Sequence, residues 1–220
     1  MQFIQRLQLP LPSDLPQSAA LAYWINAYNA LTLNHVLSFF KERLAQRGNL
    51  TAQDWTNWSV KTAVINAPNY TFFKQKVHQL NGGVYSLDDL EHTWIRPGQK
   101  GHFDTPLIHA ALNCASQSCP PLWSSVFHPQ RVHQQLENIF RRFVRDPLRN
   151  PLSKYKYSKI FKWFEDDFKS LGGVQAVLIK YALPSQVKQI KGHFDSFSFT
   201  EYDWTLNVDP RASFGILNHR

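Results

Sequence analysis

The feature that most constrains the fold is a long stretch without glycine or proline, residues 17–47. Its apolar side chains recur every three or four positions, as Trp24, Tyr28 and Leu31 illustrate, and this is the period of an α-helix. We therefore expect one long helix or two, ended by Gly48, because glycine commonly follows the last helical turn.

Two asparagines, Asn26 and Asn29, lie three positions apart on a neighbouring face of this predicted helix. An amide in such apolar surroundings is costly to bury unless it is hydrogen-bonded. We expect both to brace a loop, with a place in a functional site as the open alternative.

Local signals predict a turn and a hairpin after the long helix. Residues 66–69 carry the turn signal Asn-Ala-Pro-Asn. The Asn81-Gly82-Gly83 sequence predicts a tight turn that pairs residues 76–80 with residues 84–85.

A capping box follows the hairpin. Ser86 is the expected N-cap, and Asp89 is placed to bond back to its amide, so a helix begins here and must end before Pro97. This short helix fixes three polar residues, Glu91, His92 and Arg96.

The second half of the chain predicts more helix than strand. The expected elements are an amphipathic helix at 129–145, a strand at 155–157, a helix from Ser158 that stops at Gly172, a helix at 174–182 and a strand from Phe194 onward. The fold class is α+β, with a small, mainly antiparallel sheet built from the hairpin, the segment before Cys114 and the strands at Tyr155 and Phe194. A papain-like or transglutaminase-like architecture would suit this pattern by analogy.

The composition fits one globular domain, because 220 residues with 43% hydrophobic side chains can bury a substantial core. We expect an N-terminal arm at 1–16 and a single domain at 17–220. No apolar stretch reaches the roughly 18 residues of a membrane span. No signal peptide is visible in the first residues, and the compartment stays open. Export to the periplasm, with the leader removed, is one of the alternatives.

The formal net charge of +8 comes from scattered basic residues that are densest between Arg141 and Lys162. The simpler interpretation of these charges is a solvated surface. The more specific interpretation is that they attract an anionic partner. Because no nucleic-acid-reading motif accompanies the charge, we expect no sequence-specific nucleic-acid partner. The oligomeric state stays open.

The chain contains two cysteines, Cys114 and Cys119, in one polar segment. Two cysteines are too few for a disulfide framework or a cysteine-rich zinc site, so we expect neither metal nor cofactor. Three roles remain for the pair: a nucleophilic thiol, a disulfide or redox couple, or packing. Their spacing is not the Cys-x-x-Cys of a thioredoxin-like motif.

A nucleophilic Cys114 needs a group that stabilises its thiolate. His109 is nearest in sequence, but residues five apart lie about 140° apart on a helix and on opposite faces of a strand. We therefore expect His109 to pair with Asn113, as a structural pair or as support for a site. His92 is the better candidate base, because a capped helix fixes it, and Glu91 or Asp203 is the candidate group that orients it.

Several blocks resemble one family. They are residues 22–30 (AYWINAYNA), 86–92 (SLDDLEH) with Arg96, 109–120, 161–164 (FKWF) with Asp167 and Phe168, and 202–207 (YDWTLN). Together they resemble the family called domain of unknown function 547, in the same order, from about residue 20 to residue 207. The resemblance implies occurrence in bacteria and plants, frequent export of the bacterial members, a thiol at the position of Cys114 and, in plant-like members, often serine at the position of Cys119.

These observations favour a thiol-dependent hydrolase or acyltransferase that uses Cys114 on an amide, thioester or γ-glutamyl-type bond of a small-molecule or peptide-like substrate. The expected catalytic residues are Cys114, His92 and Glu91. The supporting residues are His109, Asn113, Arg96, Asn26, Asn29, Asp203 and Cys119. The alternatives are a thiol/disulfide redox protein that uses both cysteines and a non-catalytic interaction module.

Overall fold

The computed structural model describes residues 2–47, 58–62 and 71–208. The long helix is confirmed as a single element, α2 (Gln17–Arg47), whose core-facing residues include the buried Ile25, Tyr28 and Leu31. Gly48 and the turn predicted at 66–69 lie outside the described residues. No helix in the described part of the chain is both long enough and apolar enough to span a membrane.

The other α-helices among the described residues are short and mostly lie in the second half of the chain. They are α1 (Gln2–Arg6), α3 (Thr71–Lys74), α4 (Leu87–Asp89), α5 (Val132–Arg145), α6 (Ile160–Trp163), α7 (Gly173–Tyr181) and α8 (Pro184–His193). A π-helical turn, Leu90–Ile95, continues α4, and 3₁₀ helices occur at Val60–Thr62, Pro106–Ala110, Leu152–Lys154, Glu165–Leu171 and Phe194–Ser196.

The predicted hairpin is confirmed: β1 (His78–Leu80) pairs antiparallel with β2 (Gly83–Tyr85). Its turn residues have positive φ, 47° at Asn81 and 72° at Gly82, which are the values that asparagine and glycine tolerate best. A second two-stranded sheet pairs β3 (Lys156–Tyr157) with β4 (Ser198–Phe199) in parallel. The molecule is therefore α+β and rich in helix, as expected.

Three details of the predicted sheet are wrong. The four described strands form two separate sheets, one antiparallel and one parallel, rather than one mainly antiparallel sheet. The segment before Cys114 is the 3₁₀ helix Pro106–Ala110, for which proline at the first turn is well suited because it has no N–H to leave unpaired. Residues 194–196 also form a 3₁₀ turn, so the predicted strand begins only at Ser198. The alternation of apolar and polar residues did not reveal where pairing starts.

The start of the chain packs against the rest of the protein. It begins with α1, and Leu7 directly after α1 is buried. The Leu7 carbonyl accepts hydrogen bonds from the Tyr23 hydroxyl and from the Asn81 amide. These residues therefore pack on α2 and the hairpin, while the division into an arm and one domain stays a prediction.

Aromatic side chains from four elements form the core of the second half. Phe140 and Phe143 of α5 pack with Phe161, Phe168 and Tyr181, and all five are fully buried. The predicted helix from Ser158 is interrupted, because α6 ends at Trp163 and the chain continues as the 3₁₀ helix that Gly172 terminates in a left-handed conformation. This break presents Trp163 and Phe164 to the cleft described below.

Two histidines, the half-buried His35 of α2 and the buried His78 of β1, meet where the hairpin packs on α2. The rings of His35 and His78 are 5.3 Å apart, and neither His35 Nδ1 nor His78 Nε2 has a hydrogen-bond partner among the described residues. Burial lowers the pKa of both, and His35 adds to the effect at His78, whose pKa falls to about 4.

This pair predicts acid sensitivity of the fold. An unfolded histidine takes up a proton near pH 6.5, whereas folded His78 does so only near pH 4, so stability falls as pH drops through this interval, by on the order of 3 kcal/mol. Urea unfolding of the wild type and of His78→Gln between pH 4 and 7 should show a shallower loss in the variant. The exposed His133→Gln is the control, and an equal slope in all three proteins would contradict the prediction.

Candidate active site

The asparagines of α2 hold the segments that build the site. Asn26 bonds both the amide and the carbonyl of Phe127, at 2.9 Å each. Asn29 accepts the amide of Asn113 at 2.8 Å and donates to the carbonyl of Ala111 at 2.9 Å. Both asparagines therefore brace loops, as expected, and α2 serves as their anchor.

Asn113 organises the turn that presents Cys114. Its side-chain oxygen accepts the Ala115 amide at 2.9 Å, and its nitrogen donates to the Pro120 carbonyl at 2.8 Å. Ala115 has φ 62°, a left-handed conformation that is uncommon for residues other than glycine. The expected pairing of Asn113 with His109 does not occur, because the 3₁₀ helix ends at Ala110 and the regular geometry on which that expectation depended stops there.

The C-terminal segment ties this turn down from the other side. Ser116 bridges to Leu206, and Gln117 N donates to Thr205 O at 2.8 Å. The Asp203 carboxylate accepts the amide and hydroxyl of Thr205 within its own exposed turn, at 2.8 and 2.7 Å. Asp203 thus supports the segment locally, and none of its hydrogen bonds goes to His92.

The Cys114 sulfur lies among hydrogen-bonding groups. Its Sγ is 3.1 Å from Ser116 Oγ and 3.3 Å from Tyr202 Oη. Loss of solvent raises the pKa of Cys114, but hydrogen bonds from Cys119, Ser116 and Tyr202 more than offset this and lower it to about 6. The thiolate is therefore the form favoured at neutral pH.

Cys119 is a free thiol in a different environment. It is buried, its Sγ accepts the Cys114 amide at 2.9 Å, and it lies 3.6 Å from the Leu112 carbonyl. Burial and the neighbouring Cys114 raise its pKa well above the ordinary value. Arg149 fixes the backbone here by donating to the carbonyls of Cys119 and Gln117, at 2.6 and 3.0 Å.

Both cysteines border a cleft of about 370 Å³. Its aromatic lining consists of Tyr28, Phe73, Trp163, Phe164, Tyr202 and Trp204. Trp163 and Trp204 both pack against Tyr202, with ring centroids 4.7 and 4.5 Å from it, so the tyrosine that contacts the sulfur belongs to an aromatic wall.

A buried carboxylate connects two polar residues that line the cleft, Arg96 and His109. Asp167 accepts two hydrogen bonds from Arg96, at 2.8 and 2.9 Å, and lies 2.7 Å from His109 Nε2. Burial raises the pKa of Asp167, but these contacts hold it well below its usual range. The ring of Phe164 stacks on His109, with centroids 3.9 Å apart, and closes the cluster.

The partners of the two histidines determine which nitrogen carries the proton. Arg96 only donates, so His92 Nδ1, 2.9 Å from its Nη1, must be the acceptor and is occupied. Ionised Asp167 only accepts, so His109 Nε2 carries the proton and Nδ1 is its basic nitrogen. Burial lowers the pKa of His109, which favours the neutral ring.

Glu91 enters the cleft from the π-helical turn, a conformation often found at functional sites. Its Oε2 accepts the Tyr28 hydroxyl at 3.3 Å, whereas His92 is held by Arg96 and by Asp88 at 3.7 Å. Burial raises the pKa of Glu91, and negative charge at Cys114 adds to the rise. No hydrogen bond joins Glu91 to His92, so the structure does not support the predicted orientation of His92 by Glu91.

The structure brings six of the predicted site residues to one cleft: Cys114, Cys119, Glu91, His92, Arg96 and His109. The other four predicted residues do not line the cleft; they are Asn26, Asn29, Asn113 and Asp203. Sequence reasoning missed Asp167, Tyr202, Ser116 and Tyr28 as site residues. All four stand in the blocks that carry the family resemblance, which was the one signal that pointed to them.

No cluster of three or more His, Cys, Asp or Glu side chains suited to a metal ion occurs within residues 2–47, 58–62 and 71–208. The cleft is instead lined by a thiol with hydroxyl partners and by an imidazole that is paired with a carboxylate.

Comparison with known proteins gives one match. The family model described as "Protein of unknown function, DUF547" matches residues 12–144, which include α2, the Glu91–Arg96 turn, His109 and both cysteines. No curated protein and no solved structure matches the chain.

The Asp167 cluster predicts a stability effect. Asp167→Asn keeps the shape but removes the charge that Arg96 and His109 share, so we expect the free energy of unfolding to fall by about 3 kcal/mol. The neighbouring Asp166→Asn is a matched control, because the Asp166 side chain is 83% exposed and its loss should cost no more than about 0.5 kcal/mol. Urea unfolding of both variants measures the difference, and equal losses would contradict the role of Asp167.

Proposed function

This chain belongs to the DUF547 family, and we propose that it is a thiol-dependent acyl-transfer enzyme in which Cys114 is the nucleophile. The reaction class is hydrolysis or transfer of an amide, thioester or γ-glutamyl-type acyl group. The observation that carries the proposal is the environment of the Cys114 sulfur, which lies beside two hydroxyl groups at the edge of a substrate-sized cleft.

The thiolate needs no separate base to form near neutral pH, because its neighbours already lower the pKa of Cys114 to about 6. In the proposed first step it attacks the acyl carbon, the bond to the leaving group breaks, and an acyl–Cys114 intermediate results. The Tyr202 and Ser116 hydroxyls, which contact the sulfur in the free enzyme, are near the developing oxyanion and support its charge.

We assign His109, rather than His92, as the base that activates the water or acceptor for release of the acyl group. Two observations support this choice: Asp167 orients His109 and leaves Nδ1 as a basic nitrogen, whereas the Nδ1 of His92 is occupied by Arg96. His92 remains the alternative base, provided that Arg96 releases it. Each histidine lines the cleft with Cys114.

Glu91 is the proposed proton donor to the leaving group. Its raised pKa keeps the proton on this carboxyl to higher pH than on an exposed one, and the Tyr28 hydroxyl fixes its position in the cleft. The proposed reaction then gives a separate role to each of four residues: Cys114, His109, Glu91 and the orienting Asp167.

The aromatic lining supports a small-molecule or peptide-like substrate with an apolar group beside the reacting carbonyl. Trp163 lines the cleft with 44% of its surface exposed, so a bound apolar group would cover it. A non-catalytic interaction module remains an alternative, although a cysteine that merely packs would not require hydroxyl partners at its sulfur.

The first test is the pH dependence of Cys114 alkylation. Iodoacetamide should label Cys114 with a midpoint near pH 6, because the thiolate is the reactive form. Tyr202→Phe removes one stabilising hydrogen bond and should raise the midpoint by about one pH unit. Peptide mapping by mass spectrometry locates the label, with Cys114→Ser as the control. A wild-type midpoint near the ordinary cysteine value, about 8.5, would contradict an activated thiol.

The second test separates the two histidines. With 4-nitrophenyl acetate, the wild type should release nitrophenol in a burst and carry one acetyl group on Cys114. His109→Gln should slow the loss of that acetyl group by roughly 10²- to 10⁴-fold, the usual contribution of general base catalysis. His92→Gln is the matched variant, with a reduction of less than about tenfold.

Two outcomes would overturn these assignments. Absence of the acetyl adduct from folded wild-type protein would refute Cys114 as an acyl-transfer nucleophile. A larger effect of His92→Gln than of His109→Gln would exchange the roles of the two histidines.

A further inference from the structure

We propose that Cys114 and Cys119 also form an oxidation site for hydroperoxides, in which Cys114 is oxidised first and Cys119 then closes a reversible disulfide with it. The inference shares the reactive Cys114 thiolate with the proposed function but depends on a different partner, Cys119. The reactant is a small hydroperoxide, and hydrogen peroxide is the simplest example.

The two thiols differ in a way that assigns their order. Cys114 is partly exposed and lines the cleft, so a small oxidant can reach its sulfur. Cys119 is 2% exposed, and its raised pKa keeps it protonated. Since peroxides react with thiolates, Cys114 is the residue attacked and Cys119 is the resolving thiol.

The Cys119 sulfur is already next to Cys114. Its Sγ is 2.9 Å from the backbone nitrogen of Cys114. The Cys114 sulfur belongs to the same residue as that nitrogen, so the two sulfurs lie within about one side-chain length of each other. The turn between them is short, closed by a bond from Cys119 N to Ser116 O at 3.2 Å. Arg149 and Asn113 hold the turn through the carbonyls of Cys119 and Pro120, so the two thiols stay next to each other while the bond forms.

The chemistry balances with hydrogen peroxide as the oxidant. The Cys114 thiolate attacks one peroxide oxygen, the S–O bond forms, the O–O bond breaks and hydroxide leaves, so sulfur is oxidised and peroxide reduced by two electrons. Hydroxide takes the proton of Cys119 and becomes water. The Cys119 thiolate then attacks the Cys114 sulfur, the S–S bond forms, the S–O bond breaks and a second hydroxide leaves.

The consequence is protection of the nucleophile. A sulfenic acid left at Cys114 is oxidised further to sulfinic and sulfonic acids, which dithiols do not reverse. The disulfide stops that course and removes the thiolate, so the oxidised protein has no acyl-transfer nucleophile until a dithiol restores it.

The test is the intact mass of the protein after graded treatment with hydrogen peroxide. The wild type should lose the mass of two hydrogens, gain a Cys114–Cys119 cross-linked peptide and recover its original mass with dithiothreitol. Cys119→Ser should instead gain two or three oxygens at Cys114 that dithiothreitol does not remove. Cys114→Ser is the matched control and should keep its mass, because buried, protonated Cys119 is not attacked.

The result that overturns the proposal is wild-type protein that accumulates the same multiply oxygenated Cys114, at the same rate, as Cys119→Ser. Wild-type protein that peroxide leaves unchanged overturns it as well. Circular dichroism checks the fold of each variant, and the cross-linked wild-type peptide decides the question without any variant. The acetylation assay is independent: a disulfide without acyl transfer refutes the enzyme alone, and acyl transfer without a disulfide refutes the oxidation site alone.

Discussion

The Asp167 carboxylate is the interaction on which the candidate site depends. It joins the π-helical turn, through Arg96, to the 3₁₀ helix that carries His109, and both contacts are short and largely withdrawn from solvent. A carboxylate in such a place needs both donors, because removing either leaves a buried charge with fewer hydrogen bonds to offset its lost solvation. The same contacts fix the protonation of His109, so the group that holds these elements together also determines which nitrogen is available for chemistry.

The thiol side of the cleft depends on backbone placement more than on charge. Asn29 and Asn113 hold the turn in which Ala115 is left-handed, and the C-terminal segment delivers Tyr202 to the sulfur. Left-handed backbone at a residue other than glycine costs free energy and persists only where surrounding contacts impose it. The strain and the hydrogen bonds together present a partly exposed sulfur beside hydroxyl groups, the arrangement from which the nucleophilic role is proposed.

The family match and the site do not cover the same residues. The matched stretch, 12–144, contains the thiols, Glu91 and both histidines of the cleft, but Asp167 and Tyr202 lie beyond it. The C-terminal part of the chain therefore completes the site by orienting one imidazole and by supplying a hydroxyl at the sulfur. It also supplies Trp163 and Trp204, so most of the aromatic wall comes from outside the matched stretch.

Local signals in the sequence were enough to predict the helical stretch of residues 17–47, the Asn81–Gly82 hairpin, the Ser86–Asp89 capping box and an amphipathic helix that ends at Arg145. That the first stretch is one helix rather than two is a result of the structure. Each of these predictions depends on hydrogen bonds or side-chain periods that span a few residues, and such signals are legible without tertiary contacts. The partners of the site residues follow instead from the packing of the whole chain. His109 meets Asp167 across 58 positions and Cys114 meets Tyr202 across 88, whereas the regular geometry assumed near Cys114 paired His109 with Asn113 and placed a strand where a 3₁₀ helix lies. Contacts between such distant residues are set by how the helices pack, and no spacing in the sequence encodes them.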